Sequence, residues 1–536
     1  MDLRTQVNAF LNGTRGCPRS STHKIACFLV ILIFGGTLLL TTFLRVLPIH
    51  VPESEFLALA SVGAIYGVFL FYHREVVTGL VISLITFVTL RINIPMSNEN
   101  MLLAGVGPNL WLVHVPIIGL VSYFVYVDES MPISHGHFLY AGFVIWAGLC
   151  ALFGSGPRLL MAIYFALFVG QAGIIFVLSS WIISIRIVSL QAGLSIFVTV
   201  VFSHCVLGIL QFINGGALGG FGHLGEASRT PAEVISVGPF SHFIGPHVNG
   251  LAYGGPISIL VTLALPISIS LAFQQNGKER FFYVIAAVCM AIVQRVSAWD
   301  AGRGGTLIAI FTLFVVILYV RRRKMRHNGI VSTGTAQLLY MVTVTLPILA
   351  PSERSGSTTS RPDGNEENDT TTIGELEGDN VDLISVINDL SVPLFDLSNL
   401  GIRFQQYILG FTLFLKYPIF GVGGANFYYI SDNVGLSREY LMHNLYISLL
   451  VETGLPGLLL YMLAIGTVYY SLWKLLKKYK GDIYLIGAGA GITGVLAQLF
   501  FQPQIMKMPS LFSFWLVCGL IVGDYLKECH KPGDPT

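Results

Sequence analysis

Runs of about twenty apolar residues recur along the whole chain, and they limit its possible folds more than any other feature. A run of that length can cross the hydrocarbon core of a bilayer as a helix. Of the 536 residues, 54% are hydrophobic and only 11% are charged, whereas a soluble domain has about 25% charged residues. So few charges could not cover the surface of a soluble protein. The sequence therefore predicts an all-α, polytopic transmembrane bundle.

Apolar run length predicts about fourteen spans, within an expected range of twelve to fourteen. The predicted spans are 25–47, 55–72, 76–92, 103–127, 137–154, 158–180, 190–213, 250–273, 280–295, 303–320, 331–350, 442–473, 482–502 and 508–526. The runs at 76–92 and 280–295 are the shortest, so they define their spans least well.

Basic clusters orient these spans. The amino-terminal tail (1–24), RRRKMR (321–326) and KLLKKYK (474–480) are rich in Lys and Arg, which favour the cytoplasmic side. Fourteen alternating crossings put all three clusters on one side, so both termini, including the tail 528–536, are predicted to be cytoplasmic. The first apolar run is longer than a signal-peptide core and no small-residue cleavage site follows it, so we interpret it as an uncleaved span.

A large acidic loop, 351–440, separates the bundle 25–350 from the carboxy-terminal membrane segment 441–527, and this topology places the loop outside the cell. Its front part, 353–380, has few apolar residues and many turn formers, which predicts flexibility. Its rear part, 402–416, is predicted to be an amphipathic helix in the external interface. The apolar residues at helical spacing in that part are Phe404, Ile408, Phe411 and Leu415.

Polar residues in apolar surroundings are the candidates for chemistry. His443 and Asn444 stand where the external loop enters a predicted span, and Glu452 follows nine residues after His443. A lone histidine at a helix entrance is more often a structural residue than a catalytic one. On one continuous helix Glu452 would point away from His443, so we interpret Glu452 as a structural support. Gly454 and the Pro-Gly pair after it predict a break in the helix.

Two arginines are candidates for binding an anion. Arg303 opens a predicted span among three glycines, which let a backbone or a large ligand approach closely. Arg403 lies on the predicted amphipathic helix. Charged residues at membrane depth tend to face a cavity and a partner, and two guanidinium groups at one cavity can bind a diphosphate. For Arg295 and Arg438 we favour snorkelling to the interface.

The cysteines and acidic residues give no sign of a metal site. None of the seven cysteines forms a C-x-x-C pair, so a disulfide framework or a cysteine metal site is not expected. The sequence has no D-x-D and no H-E-x-x-H, and we interpret the acidic pair Glu53 and Glu55 as a solvated turn. We expect no metal, no other cofactor and no nucleic-acid partner.

Four elements, in this order along the chain, resemble those of the O-antigen ligase and polymerase family. They are Pro-x-x-Asn in IGPHVNG (244–250), Arg-Gly in AGRGG (301–305), Pro-x-x-Gly-x-Gly in KYPIFGVGG (416–424), and His-Asn followed by Glu-x-Gly-x-x-Gly in HNLYISLLVETGLPG (443–457). The resemblance extends over about residues 190–475. AGRGG has Ala and Gly where the family has serine, and 353–380 looks like an insertion.

The resemblance implies a GT-C-like bundle and a metal-independent, inverting glycosyltransferase. Its donor would be a glycan on a polyprenyl diphosphate, its acceptor a lipid, a glycan or a protein, and its site would face the cell exterior among membrane lipids. His443 takes the place of the family's essential histidine. Arg303 and Arg403 take the places of the diphosphate-binding arginines. Asn249 and Asn444 would position the substrate or the loop.

Three alternatives remain open at this point. A polymerase of the same family uses the same donor and differs only in its acceptor. A transporter or flippase for the lipid-linked glycan would need basic residues distributed through the depth of the membrane, whereas here they gather at its faces. A structural assembly subunit would tolerate replacement of His443 and of the arginines.

Overall fold

The structure is a computed structural model, and it describes part of the chain. The described residues are 76–90, 93–95, 109–111, 113–127, 131–213, 234–237, 240–243, 256–297, 300–328, 399–433, 442–479, 482–501 and 508–529. Several predictions lie outside them: the spans 25–47, 55–72 and 331–350, the tails 1–24 and 530–536, the segment 353–380, and the residues Asn249 and Arg438.

The described residues are mainly helical. The helices are α1 (Val76–Phe87), α2 (His114–Val127), α3 (His135–Phe153), α4 (Leu159–Ser184), α5 (Leu190–Ile213), α6 (Pro256–Gln274), α7 (Gly277–Val296), α8 (Asp300–Asn328), α9 (Asn399–Lys416), α10 (Phe427–Asn433), α11 (Leu445–Lys478), α12 (Ile483–Gln498) and α13 (Met508–Cys529). Two short antiparallel strand pairs, which were not predicted, accompany them: β1 (Asn93–Pro95) with β2 (Asn109–Trp111), and β3 (Val234–Val237) with β4 (Phe240–Phe243).

Among the described residues, seven helices are long and apolar enough to cross a membrane. They are α3, α4, α5, α6, residues Ala301–Tyr319 of α8, α11, and Pro509–Cys529 of α13. Shorter apolar helices occur in α1, α2 and α12. The prediction of a helical, multi-pass membrane protein is confirmed, and the total number of spans stays a prediction because it also counts segments outside the described residues.

Helices α6 and α13 form the centre of the bundle, because 94% of the residues in the apolar stretch of each helix are buried. Trp515 on α13 packs against Tyr140 of α3 and Phe176 of α4, with ring centroids 4.3 and 5.1 Å away. The outer helices instead expose large apolar side chains, such as Phe138 on α3 and Phe311 on α8. Apolar residues on both faces of the helices are what a bundle surrounded by lipid requires.

Helix α11 breaks at Gly454, as the sequence predicted, because this residue has φ 67° and ψ −178°. The Tyr446 hydroxyl donates to the carbonyl oxygen of Leu496 (2.8 Å), and the Tyr469 hydroxyl bonds with Thr493 Oγ1 (2.8 Å). Residues 446 and 469 would be about 35 Å apart on a straight helix, yet their partners are three residues apart on α12. The chain therefore turns back sharply at the break. We name residues 445–453 the half-helix and residues 455–478 the spanning part.

The Pro-x-x-Gly-x-Gly loop, residues 417–426, is bonded to this break. The backbone N–H of Val422 donates to the Val451 carbonyl (2.9 Å), and that of Leu455 donates to the Pro418 carbonyl (2.9 Å). A Cβ on Gly454 would overlap a carbonyl oxygen of this loop. The left-handed φ and the close approach together explain why glycine is needed at 454.

Helix α12 runs antiparallel both to α8 and to the spanning part of α11. Gly305 on α8 lies against Gln498, and Leu472 on the spanning part lies against Gly489. The basic stretches 321–326 and 474–478 therefore end their helices on the same side of the bundle, opposite the beginning of the half-helix. This polarity agrees with the arrangement that the positive-inside bias predicts, and the orientation in the membrane stays a prediction.

Candidate functional site

His443 lies on the turn that precedes the half-helix. Its Nδ1 is 3.1 Å from Gln406 Oε1. An amide oxygen only accepts, so Nδ1 carries the proton and the neutral ring has its lone pair on Nε2. Burial, and secondarily the positive charge of Arg403, lower the pKa of His443 to about 4. The imidazole is therefore neutral at neutral pH and can accept a proton through Nε2.

Helix α9 supplies the surroundings of this histidine. Arg403, Gln406 and Tyr407 are spaced i, i+3 and i+4, so they share the side of α9 that faces His443. Gln406 is fully buried. The Tyr407 hydroxyl donates to the His443 backbone carbonyl (3.4 Å) and bonds with the side chain of Asn444. Burial raises the pKa of Tyr407, and Arg403 opposes that shift. The structure thus brings Arg403 and His443 into one group of polar side chains, which we name the His443 cluster.

The apolar stripe of α9 does not face the protein. Phe404, Phe411 and Leu415 are 54%, 49% and 76% exposed, whereas Leu409 and Leu413 are buried. The helix spans Asn399–Lys416 and begins three residues before the predicted one. Because lipid is as apolar as a protein core, an exposed stripe of this kind suits a helix in contact with the membrane. Its location in the external interface stays a prediction.

Asn444 is the N-cap of the half-helix. Its Oδ1 accepts hydrogen bonds from the backbone N–H groups of Tyr446 (3.0 Å) and Ile447 (3.1 Å). An N-cap of this kind contributes about 1 kcal/mol to helix stability. Asn444 therefore fixes the turn that carries His443, and its contact with a substrate stays a prediction.

Glu452, at the other end of the half-helix, is buried. Its carboxyl group accepts hydrogen bonds from the backbone N–H groups of Ala425 and Phe427. Ala425 has φ 59°, an uncommon conformation for a residue with a Cβ. This carboxyl group thus holds the Pro-x-x-Gly-x-Gly loop in place, which supports the structural interpretation of Glu452.

Arg303 lies in the first turn of α8, and its Nη2 donates to the backbone carbonyl of Arg295 (3.2 Å). Snorkelling of Arg295 was the wrong expectation, since only 7% of this residue is exposed. The arginine stands on the last turn of α7, which is enclosed by neighbouring helices. Two arginines are therefore close to each other at this end of the bundle.

The glycines around Arg303 differ in what they permit. A Cβ on Gly302 would overlap Ser258 Oγ, and one on Gly305 would lie 2.8 Å from Gln498 Cβ. A Cβ on Gly304 would meet nothing within 4 Å. Gly302 and Gly305 therefore allow close helix packing, and only Gly304 borders open space.

Arg303 and His443 are linked through the carboxyl end of α12. Gly305, two residues after Arg303, packs against Gln498, and the N–H of Leu445, two residues after His443, donates to the carbonyl of Leu499 (3.0 Å). The two segments touch consecutive residues of one helix end. The structure thus puts Arg303, Arg403 and His443 at one end of the bundle, and a shared pocket between them stays a prediction.

Two further features lie apart from this cluster. A cavity of about 540 Å³ lies between α2, α3 and α4, and apart from His137 its lining is almost entirely apolar. None of the predicted site residues lines it. Within the described ranges, no three His, Cys, Asp or Glu side chains come close enough to form a metal site.

Comparison with known families identifies one segment of the chain. Residues 282–462 match the O-antigen ligase family model. The matched segment begins in α7, ends in α11, and includes Arg303, Arg403 and His443. The resemblance read from the sequence is confirmed over this segment, and the Pro-x-x-Asn element at 244–250 lies before it. No curated protein matches the chain. The chain is therefore a multi-pass membrane protein, and its residues 282–462 are similar to the O-antigen ligase domain.

Two residues of the His443 cluster were not predicted from the sequence. Gln406 and Tyr407 follow Arg403 at i+3 and i+4, and this spacing alone could have marked them as its neighbours on a helix. Nothing in the sequence indicated that this face, rather than the apolar stripe, would meet the protein.

Proposed function

We propose that this protein transfers a glycan from a polyprenyl-diphosphate carrier to an acceptor hydroxyl at the external face of the membrane. The observation that carries the proposal is the neutral imidazole of His443, with its proton fixed on Nδ1, beside the guanidinium of Arg403. A base and a cation side by side are what a transfer with an anionic leaving group needs.

In the proposed reaction the acceptor oxygen attacks the anomeric carbon of the donor sugar. The new C–O bond forms while the C–O bond to the diphosphate breaks, and a single displacement of this kind inverts the anomeric centre. The acceptor proton passes to Nε2 of His443. The diphosphate leaves as an anion, and Arg403 and Arg303 stabilise its developing charge.

Substrate binding would also raise the pKa of His443. Arg403 contributes to the low pKa of His443. An anionic diphosphate beside Arg403 offsets that positive charge, so the imidazole becomes more basic when the donor is bound. The same arginine would thus hold the leaving group and make the base stronger in the complex than in the free protein.

The depth of His443 supports a lipid-linked donor. The contacts of Leu472 with Gly489 and of Tyr469 with Thr493 set the register between the spanning part and α12. In this register Leu499 is level with residue 463, about 12 Å inside the Leu455 end. Because Leu499 bonds to Leu445, the His443 turn lies at a similar depth. A diphosphate tethered to a chain in the membrane reaches such a site more readily than a soluble sugar nucleotide does.

The remaining predicted residues have supporting roles in this proposal. Asn444 holds the His443 turn, Glu452 holds the Pro-x-x-Gly-x-Gly loop, and Asn249 positions the donor or the loop. A polymerase would use the same groups and differ in the acceptor alone, so supplying lipid-linked repeat units as the acceptor distinguishes it from a ligase.

The test uses purified protein in lipid nanodiscs with a lipid-linked glycan donor and an acceptor. We expect H443A to lower transfer by about 10²- to 10⁴-fold, because general-base catalysis contributes that much, while donor binding is largely kept. The matched control is H135A, which removes an exposed histidine on α3 and should leave transfer unchanged.

The same pair of variants in cells separates the proposal from its rivals. Loss of the base should let the lipid-linked glycan accumulate on the outer face of the membrane. Accumulation on the cytoplasmic face would favour a flippase. Transfer by H443A within a few fold of the wild type would remove the catalytic role of His443.

A further inference from the structure

A cluster of buried polar side chains lies directly behind Arg303. It joins four helices, and we name its members the polar cluster: Ser258 and Thr262 on α6, Gln294 on α7, Thr306 on α8, and Gln498 on α12. All five are fully buried. Polar groups in the interior of a membrane bundle are costly unless they are bonded. Apolar residues could fill this space, so a cluster of this kind calls for a reason beyond packing.

Gln498 holds the middle of the cluster with both ends of its amide. Its Nε2 donates to Ser258 Oγ (3.0 Å), and its Oε1 accepts from Thr262 Oγ1 (3.1 Å). The Thr262 hydroxyl also lies 2.8 Å from Thr306 Oγ1 and 3.4 Å from the carbonyl oxygen of Gly302. Through Thr262, Gln498 is thus connected to Gly302 and Thr306, which stand one residue before and three residues after Arg303 on α8.

The close approach of α8 depends on this contact. A Cβ on Gly305 would lie 2.8 Å from Gln498 Cβ and 2.8 Å from the carbonyl oxygen of Gly494. Helix packing in lipid gains little from the hydrophobic effect, so close contacts of small residues and directional hydrogen bonds set the position of one helix on another. Gln498 packs directly against this turn of α8 at Gly305, and its hydrogen bond with Thr262 reaches the turn through the contact of Thr262 with Thr306.

The next residue of α12 holds the other side of the site. The carbonyl oxygen of Leu499 accepts from the N–H of Leu445 (3.0 Å), at the first residue of the half-helix. Phe500 packs against Tyr446, with ring centroids 4.5 Å apart. Three consecutive residues of one helix end therefore connect the segment of Arg303 to the turn of His443.

We propose that Gln498 is a positioning residue, whose buried amide sets the placement of Arg303 relative to His443. The catalytic part of this inference rests on the proposed function, and its structural part does not. Gln498 need not touch the substrate, because it acts through the backbone of α8 on one side and through the end of α12 on the other.

The test replaces Gln498 by methionine, which has a similar volume and forms neither amide bond. The control is T493V on the same helix, which removes the bond to the Tyr469 hydroxyl and leaves the polar cluster intact. We expect Q498M to lower kcat/KM by about 10- to 100-fold, because small misplacements of reacting groups have effects of that size. We expect T493V to stay within about threefold of the wild type.

A double-mutant cycle shows whether Gln498 acts through Arg303. In an R303Q background, Q498M should lower kcat/KM by less than about threefold further, since the group it positions is already gone. The effects of T493V and R303Q should multiply. Multiplying effects of Q498M and R303Q would overturn the inference.

Amide hydrogen exchange tests the structural part without any substrate. Peptides covering 303–309 and 443–449 should both exchange faster in Q498M and at the wild-type rate in T493V. If Q498M does not fold, T262V removes the bond to Gln498 Oε1 and should change the same two peptides. Exchange that rises around 303 alone would contradict the proposal. A failure of the proposed function would appear instead as transfer retained by H443A, with these exchange results unchanged.

Discussion

The two sides of the candidate site are held in different ways. On the His443 side, polar side chains of α9 bond to the histidine: Gln406 to its ring, and Tyr407 to its backbone carbonyl. On the Arg303 side, Gly302 and Gly305 let the first turn of α8 pack closely against α6 and α12. The hydrogen bonds of the polar cluster hold this turn in place. The first side should therefore respond mainly to charge and pH, and the second mainly to added volume.

The largest expected effect concerns the break that forms the His443 side. We expect G454A to lower the free energy of unfolding by about 3 kcal/mol or more, because a Cβ there is strained at positive φ and overlaps the Pro-x-x-Gly-x-Gly loop. Thermal unfolding in detergent measures the loss. The control is G466A in the spanning part, where a Cβ would meet nothing within 4 Å, and it should be neutral or slightly stabilising. Equal stability of the two variants would mean that the chain does not need the reversal at 454.

An intermediate effect is expected on the Arg303 side. G305A should destabilise by about 1–3 kcal/mol, the usual cost of overpacking, and should lower transfer because α8 moves away from α12. G304A should leave both unchanged, since its Cβ would face open space. Unfolding midpoints and transfer rates of this adjacent pair check the prediction. If G304A were the more harmful variant, the close approach would lie on the other face of α8.

The smallest effect is a shift in pH dependence on the His443 side. A base with pKa about 4 stays unprotonated down to that pH, so kcat/KM should fall as the pH is lowered through about 4, rather than through about 6.5. In R403Q the loss of a neighbouring positive charge raises the pKa, and the acid limb should move upward. It should stay below 6.5, because burial is the larger cause.

The same pKa determines the direction in which the free energy of unfolding changes with pH. The folded pKa of His443 is below the unfolded value, so protons favour the unfolded state. The contribution of His443 is fully present above about pH 6.5 and is lost as the pH falls towards 4. Wild-type stability should therefore fall more steeply over this range than that of H443N. Parallel curves for the two proteins would show that His443 titrates normally.

The sequence was informative where a local rule applies. Run length predicted the helical membrane class, and Gly454 with Pro456 predicted the break in α11. The motifs around His443 predicted the similarity of residues 282–462 to O-antigen ligases, and the structure puts Arg403 beside that histidine. These features depend on residues near each other in the chain or on motifs with a fixed spacing.

The sequence was silent where distant segments meet. Gln498 lies 236 residues from its partner Thr262, and neither residue stands out in an apolar helix. The side of α9 that meets the protein could not be read from its periodicity either, because lipid and core are both apolar. Buried Arg295 was mistaken for a snorkelling residue, because the spacing of residues does not reveal which helix ends are enclosed by other helices.

The reversal at Gly454 has a consequence for how the protein is made. The insertion machinery meets residues 445–478 as one apolar stretch, but residues 455–478 alone, at about 36 Å, are sufficient to cross the bilayer. The preceding nine residues must fold back against α9 and α12 once those helices are in place. His443 therefore reaches its position between α9 and the end of α12 late, after α12 has been inserted into the membrane.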